Sequence, residues 1–307
     1  MRKVAILGIG QTTVDEHWDK SLRELAGEAA FAALKDAGRD TVDGLFVGNM
    51  MSGMLSKQEN LGALIADWVG LRGIEAVKVE AACGSGAAAL RTGLMAVSSG
   101  EMDSALIVGV EKMTESLPVE TTAALATASD ADYESAHGLS FVAINALVMR
   151  RYMHEYGWKH SDFAPFSINA HANAVHNPYA RLQEPITEKD YSEARMVAAD
   201  SLRPNGHPVI TIIGSASATD SLAVHDRYEP TWLSAAAKSA QKAYSQAGIS
   251  PSDIDLFELH DAFSIMSVLS LEACGFAERG QGPKLGLTGD ITISGRIPIT
   301  TMGGLKA

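Results

Sequence analysis

The sequence predicts a layered α/β fold, two duplicated α/β halves packed together with an inserted loop domain, and three observations predict it. Short continuous apolar runs alternate with helical stretches through the first 113 residues. A segment from about Thr114 to Arg203, rich in His, Asn, Pro and Tyr, interrupts the alternation. After it the first pattern returns in the same order. Strands buried on both faces of a parallel sheet read as unbroken apolar runs, and the helices between them cover the sheet, so this alternation builds layers.

The first run, Val4-Ala5-Ile6-Leu7 ahead of Gly8, is expected to be a buried strand. Two basic residues precede it, but the run is too short for a secretory leader, and Gln11-Thr12-Thr13 follows with no small-residue cleavage site. Ser21 opens a helix: with Glu24 it forms a capping box, in which each side chain satisfies the other residue's free N–H. Leu22, Leu25, Ala26, Ala29, Ala33 and Leu34 make the apolar stripe of that helix, and Gly38 ends it. Leu45-Phe46-Val47, Val77-Lys78-Val79 and Ala105-Leu106-Ile107-Val108 read as three further strands. A small-residue helix from about Gly86 to Ser98 joins the last two.

In the interrupting segment apolar periodicity survives only around Ile144–Met153, and long loops of this kind usually serve a site. Beyond it, Val209–Ile213 with Gly214 matches Val4–Leu7 with Gly8. A helix carrying Leu233, Ala236, Ala237, Ala240 and Tyr244 ends at Ala247-Gly248, as the earlier one ends at Ala37-Gly38. Asp255-Leu256-Phe257 then echoes Asp43-Gly44-Leu45-Phe46, with Gly-to-Phe spacings of nine and eight residues. Three echoes in one order imply duplication of a βαβ unit. The expected division is residues 1–113, an N-terminal half; 114–203, a covering loop domain; and 204–307, an incomplete C-terminal half. A site is expected where the loops of the halves meet.

Composition narrows the function. With 25 Lys plus Arg against 37 Asp plus Glu, the formal charge is −12, and without a basic run the chain is ill suited to a phosphate backbone, so no nucleic-acid partner is expected. Two cysteines make neither a disulfide framework nor a four-sulfur zinc site. No stretch approaches the roughly 18 apolar residues of a membrane span, and the expected location is the cytoplasm. His171 and His176 are five residues apart and fall on different helix faces, so no metal is expected. Gly8-Ile9-Gly10 lacks the third glycine of a dinucleotide fingerprint. The acidic residues are scattered and read mostly as solvated surface.

Two residues stand out for chemistry. Cys83, in Val79-Glu80-Ala81-Ala82-Cys83-Gly84-Ser85-Gly86, lies at a strand-to-helix junction, where free N–H groups and the helix dipole favour thiolate. It is either a nucleophile or a small buried residue at a tight turn. His260 follows Leu256-Phe257-Glu258-Leu259 and precedes Asp261, a natural N-cap that would aim His260 outward at the ligand-gathering edge of a sheet. The plainer reading is a half-buried loop histidine. Cys274 falls on the apolar face of a helix and reads as core.

Taken in order, Val-Glu-Ala-Ala-Cys83-Gly-Ser-Gly-Ala, Val-Gly-Val-Glu-Lys-Met113, Glu-Leu-His260-Asp-Ala-Phe-Ser, Gly295-Arg-Ile-Pro and Gly303-Gly-Leu-Lys-Ala307 resemble the thiolase superfamily, in the sterol-carrier-protein-like branch that includes archaeal acetyl-CoA acetyltransferases. Arg151-Tyr-Met-His-Glu-Tyr-Gly and Ser217-Ala-Thr-Asp-Ser-Leu-Ala-Val-His-Asp226 extend the match over nearly the whole chain. The resemblance implies Claisen or reverse-Claisen chemistry on acyl-CoA, forming or cleaving acetoacetyl-CoA. It makes Cys83 the acyl acceptor and His260 the group that polarises the thioester oxygen of the second substrate. Coenzyme A thioesters are then substrates, with no bound cofactor, and Ser215 and Ser217 are candidates to touch the coenzyme. The implied assembly is a homodimer or homotetramer, with a 3-hydroxy-3-methylglutaryl-CoA synthase and a small scaffold protein as further partners.

Two departures from the family pattern qualify that expectation. Family members follow Gly-Gly-Leu-Lys-Ala with a Gly-His-Pro motif and later a Cys-x-Gly motif, neither of which follows that segment in this sequence. The triplet Gly206-His207-Pro208 is expected to lead into a strand instead, its resemblance to the motif a coincidence. A family strand with an Asp-Gly-Ala-Ala-like segment also has no room between Ser201-Leu202-Arg203 and Pro204-Asn205-Gly206, so unpaired strand edges are expected. The alternatives to an active acyltransferase are an impaired thiolase-like subunit or acyl-CoA binder, and an acyl-enzyme former that uses Cys83 for hydrolysis or another transfer.

Overall fold

A computed structural model of the chain describes residues 2–193, 213–221 and 224–305. The chain divides into two compact units, one of residues 1–12, 16–131 and 206–212, the other of residues 13–15, 132–205 and 213–307.

The first unit is a layered α/β body. Its elements are α1 (Leu22–Asp36), β1 (Gly44–Gly48), α2 (Ser52–Leu55), α3 (Leu61–Trp68), β2 (Glu75–Val79), α4 (Ser85–Ser99), β3 (Ala105–Gly109) and α5 (Pro118–Ala126). The strands pair in parallel in the order β2-β1-β3, with Phe46 opposite both Val77 and Ile107. Alternation sorts the side chains of the central strand: Leu45 and Val47 join Leu106 and Val108 in a core with α1 and α3, while Phe46 packs with Ala89 of α4 and Met102 on the other face. Both ends of α1 are as expected, with a reciprocal Ser21–Glu24 capping box and Gly38 at φ +60°. Glycine brings α4 onto the sheet: a Cβ at Gly48 would lie 2.6 Å from the Ser85 carbonyl oxygen and 2.7 Å from Gly86 Cα.

One expected strand is not formed as such. In Val4–Leu7 only Ala5 makes a β-bridge, and Ile6 and Leu7 are exposed rather than buried. Gly8 and Gly10 instead lie on the α1 backbone, where a Cβ on Gly8 would meet the Ala33 carbonyl oxygen at 2.6 Å. Residues 4–10 and the edge strand β3 line a common cleft of about 370 Å³, so no neighbouring strand among the described residues covers this run.

The second unit carries α6 (Phe141–Tyr156), α7 (Ala164–Ala174), α8 (Glu188–Glu193), α9 (Ser234–Ala247), α10 (Ser264–Ala273) and α11 (Gly282–Leu287). The interrupting segment is thus largely helical, with more helix than its periodicity disclosed. Tyr152, Phe163 and Phe166 from it share a core with Ile265, Val268, Leu269 and Leu271 of α10 and with Ile291, Ile297 and Ile299. The expected strand through Asp255–Leu259 reduces to one parallel bridge, Phe257 with Ile299. No named strand lies under α9 among the described residues, and none of its side chains is fully buried. The expected strand Val209–Ile213 lies, apart from Ile213, outside the described residues.

Candidate active site

Parallel pairing sets the C-terminal ends of β2, β1 and β3 side by side, and the chain leaves them through Cys83, Asn49 and Glu111 respectively. Cys83 occupies a single 3-10 turn, Ala82–Gly84, directly ahead of α4. The residue before it, Ala82, has φ +48°, a left-handed conformation that costs an L-residue roughly 1–2 kcal/mol. Ser85 holds this elbow: its hydroxyl donates to the Ala82 carbonyl at 2.6 Å and accepts from the Ala81 N–H at 3.0 Å. The Ala82 N–H donates to the Glu80 carboxylate. Cys83 is exposed at the tip.

The electrostatics at the sulfur differ from the sequence expectation. Desolvation is the largest influence and pushes the Cys83 thiol up; a backbone hydrogen bond draws it down, and the Glu111 carboxylate pushes it up again. Cys83 lies ahead of the helix, whose N-cap is Gly84, and the Glu111 carboxylate leaves the sheet nearby. Glu111 itself is held by the Asn49 amide at 2.8 Å, the Met50 N–H at 3.0 Å and the Met51 N–H at 3.2 Å. Asn49, almost wholly buried, also donates to the Val110 carbonyl and accepts from the Ser52 N–H. Sequence reading missed Ser85, Asn49 and Glu111. Their only signal was position, at the carboxyl end of a strand or the first turn of a helix.

Cys83 belongs to the first unit and His260 to the second. His260 is exposed, three residues beyond the Phe257 bridge. Asp261 does not cap the following helix: the N-cap of α10 is Phe263, without a side-chain cap. Asp261 is instead fully buried and accepts the Leu305 N–H at 2.6 Å. Glu258 accepts the Thr301 N–H at 2.7 Å and its hydroxyl. Gly304, at φ +68°, is where a Cβ would lie 2.6 Å from an Asp261 carboxylate oxygen, so only glycine passes there.

Ser215 and Ser217 lie in the second unit; the Ser215 N–H donates to Gln246 at 2.9 Å, and Ser217 is exposed. Cys274 is the C-cap residue of α10, just beyond the helix whose apolar face it was expected to join, and burial pushes its thiol up to about 11. His171 is buried with Nδ1 3.1 Å from the Glu184 carbonyl oxygen. His207 lies outside the described residues. Among the described residues no cluster of three or more His, Cys, Asp or Glu is placed to hold a metal, and no helix is long and apolar enough to cross a membrane.

Comparison with known proteins places this geometry in a family. Residues 4–208 match the thiolase N-terminal domain, and residues 216–307 match the thiolase C-terminal domain-like family. An acetyl-CoA acetyltransferase of Methanothermobacter thermautotrophicus is 39% identical over 331 aligned positions, covering 100% of this chain and 86% of the relative. The acetyl-CoA acetyltransferase of Methanocaldococcus jannaschii is 36% identical, covering 100% and 85%. The 331 aligned positions face 307 residues here, so at least 24 of them have no counterpart in this chain. Among solved structures, the Ltp2-ChsH2(DUF35) aldolase superposes with a TM-score of 0.80 at 26% identity, over 98% of this chain and 84% of that one. Matched from its first strand-like run to the segment that Asp261 holds, the chain belongs to the thiolase family.

Proposed function

We propose that this chain is an acyl-CoA C-acyltransferase of the acetyl-CoA acetyltransferase type, which forms or cleaves acetoacetyl-CoA through an acyl thioester on Cys83. The observation that carries the reading is Cys83 itself, exposed on a strained elbow ahead of a helix in a chain of this family. In the first half-reaction the Cys83 sulfur attacks the acyl-CoA carbonyl, and the carbon–sulfur bond to coenzyme A breaks. Cys83 rests as a thiol, so its proton must depart as the acyl group arrives, and the leaving coenzyme A thiolate is its net acceptor. In the second half-reaction the α-carbon of a second acetyl-CoA attacks the acyl thioester, and a carbon–carbon bond forms as the acyl carbon–sulfur bond to Cys83 breaks. The α-proton passes in net to the departing Cys83 thiolate, which restores the thiol. A covalent thioester splits one difficult step into two.

His260 supplies the donor to the thioester oxygen on which enolate charge develops, where such donors contribute most. Ser215 and Ser217 are the candidate contacts to coenzyme A, and residues 114–203 the covering segment. The two acetyl-CoA acetyltransferases support the reaction type, and their identities of 36% and 39% over the whole chain are the strongest support. A homodimer or homotetramer is the assembly proposed. The aldolase named for two components supports a further partner subunit, for which a 3-hydroxy-3-methylglutaryl-CoA synthase with a small scaffold protein is the family's model.

Intact-protein mass after incubation with acetyl-CoA tests the reading. One added acetyl group is expected on the natural sequence and none on Cys83→Ala. Absence of the adduct from both would turn the assignment to an impaired subunit or acyl-CoA binder. Free acetate without acetoacetyl-CoA would turn it to hydrolysis.

A further inference from the structure

The second unit contains a strained residue with no place in the chemistry above. Thr300 is β-branched, fully buried, and held at φ +48°. For such a residue this conformation is an outlier, and it persists only where its surroundings enforce it. Two asparagines one turn apart on α7 do so. Asn173 donates its amide to the Thr300 carbonyl at 2.9 Å, and Asn169 reaches the Ile299 carbonyl at 3.2 Å and the Thr300 hydroxyl at 3.4 Å. The turn closes on itself through the Gly303 N–H, 2.9 Å from the same Thr300 carbonyl.

What leaves the turn is tied to both sides of His260. Thr301 binds Glu258 through its N–H and hydroxyl, and the Leu305 N–H binds Asp261. The histidine thus sits between two acidic residues that grip one segment, and that segment is held in register by α7. The glycine at 304 allows the close approach to Asp261.

We propose that Asn173, through its hydrogen bond to the backbone carbonyl of the Thr300 turn, is a positioning residue for His260, so that a helix of the inserted segment sets the aim of a side chain in the C-terminal half. The proposal rests on the role given to His260 under the proposed function, but the device itself is testable without it. Misplacement of a reacting group by about an ångström costs up to ~100-fold in rate, and a ~10-fold loss is expected from slackening one anchor.

The experiment uses the full chain with Asn173→Ala and the isosteric Asn173→Asp, which keeps the shape but has no amide donor. Thr300→Gly is the counter-variant, since glycine takes the positive φ freely and leaves the backbone carbonyl for Asn173. Imidazole proton–carbon spectra of the nine histidines, with His260 identified by its absence from His260→Gln, report the side chain directly. Expected for a folded Asn173 variant is a moved His260 resonance, with transfer to the second substrate slowed ~10-fold and Cys83 acetylation unchanged. Thr300→Gly should leave all three as they were. An unmoved His260 resonance in either folded Asn173 variant overturns the proposal, as does a Thr300→Gly spectrum that matches the Asn173 variants. If the natural sequence acetylates nothing, the functional reading falls while the spectra still decide the positioning role.

Discussion

Cys83 is subject to opposing influences that residue type alone does not rank. A backbone hydrogen bond favours thiolate, whereas desolvation and Glu111 favour thiol, and the net direction is up. Removing the carboxylate charge removes one upward influence, so in Glu111→Gln the thiolate fraction at pH 8 rises. Alkylation of Cys83 by iodoacetamide, followed on the Cys83 peptide to keep Cys274 separate, is expected to be faster than in the natural sequence. An equal or slower rate would show that Glu111 acts only as a hydrogen-bond acceptor for the loop. The linkage has a definite sign. A thiol raised in the folded state binds its proton more tightly than the unfolded chain does, so its contribution to stability is complete below the unfolded value and is lost as pH rises through the folded one. Asp261 teaches the same lesson at a second residue. An aspartate just before a helix reads as a cap, yet its carboxylate is turned to the Leu305 N–H, a choice made by a segment 44 residues away.

Among the elements, those with local signals were the legible ones. The Ser21–Glu24 box, the glycine stops and the apolar runs of β1, β2 and β3 are written within a few residues, and each element formed within about two residues of its expected place. Elements that need a distant partner were not legible in this way. Val4–Leu7 has the same apolar character as β3, yet Ile6 and Leu7 are exposed and no neighbouring strand among the described residues covers them. The helices of the interrupting segment were hidden for a different reason: α7 buries Asn169 and His171 beside Phe166 and Ala170, so its inner face does not read as apolar. Contact between α4 and β1 carries its own prediction. With Gly48→Ala, the added Cβ would sit 2.6 Å from the Ser85 carbonyl and push away the helix that bears the Cys83 elbow. A loss of about 1–3 kcal/mol in urea unfolding is expected. A loss below about 0.5 kcal/mol would mean that α4 moves aside freely.

For the whole molecule, the expected assembly is a homodimer or homotetramer, and light scattering at working concentration should return two or four times 32.4 kDa. A monomer would remove that part of the proposal. Order along the chain was enough to determine the layered first unit and the family, and to mark Cys83 and His260 as the residues to examine, because the elements and motifs behind them are each written within a few residues. Tertiary structure alone decided what surrounds them: Glu111, held by Asn49, acts on Cys83 because parallel pairing aligns strand ends more than 30 residues apart. It alone decided that Thr300 is strained, since the φ of a threonine is set by the asparagines that grip it and not by its own preference. The division follows from range: capping, periodicity and turn chemistry act over a few residues, whereas burial, charge and strain are fixed by whatever the fold brings near.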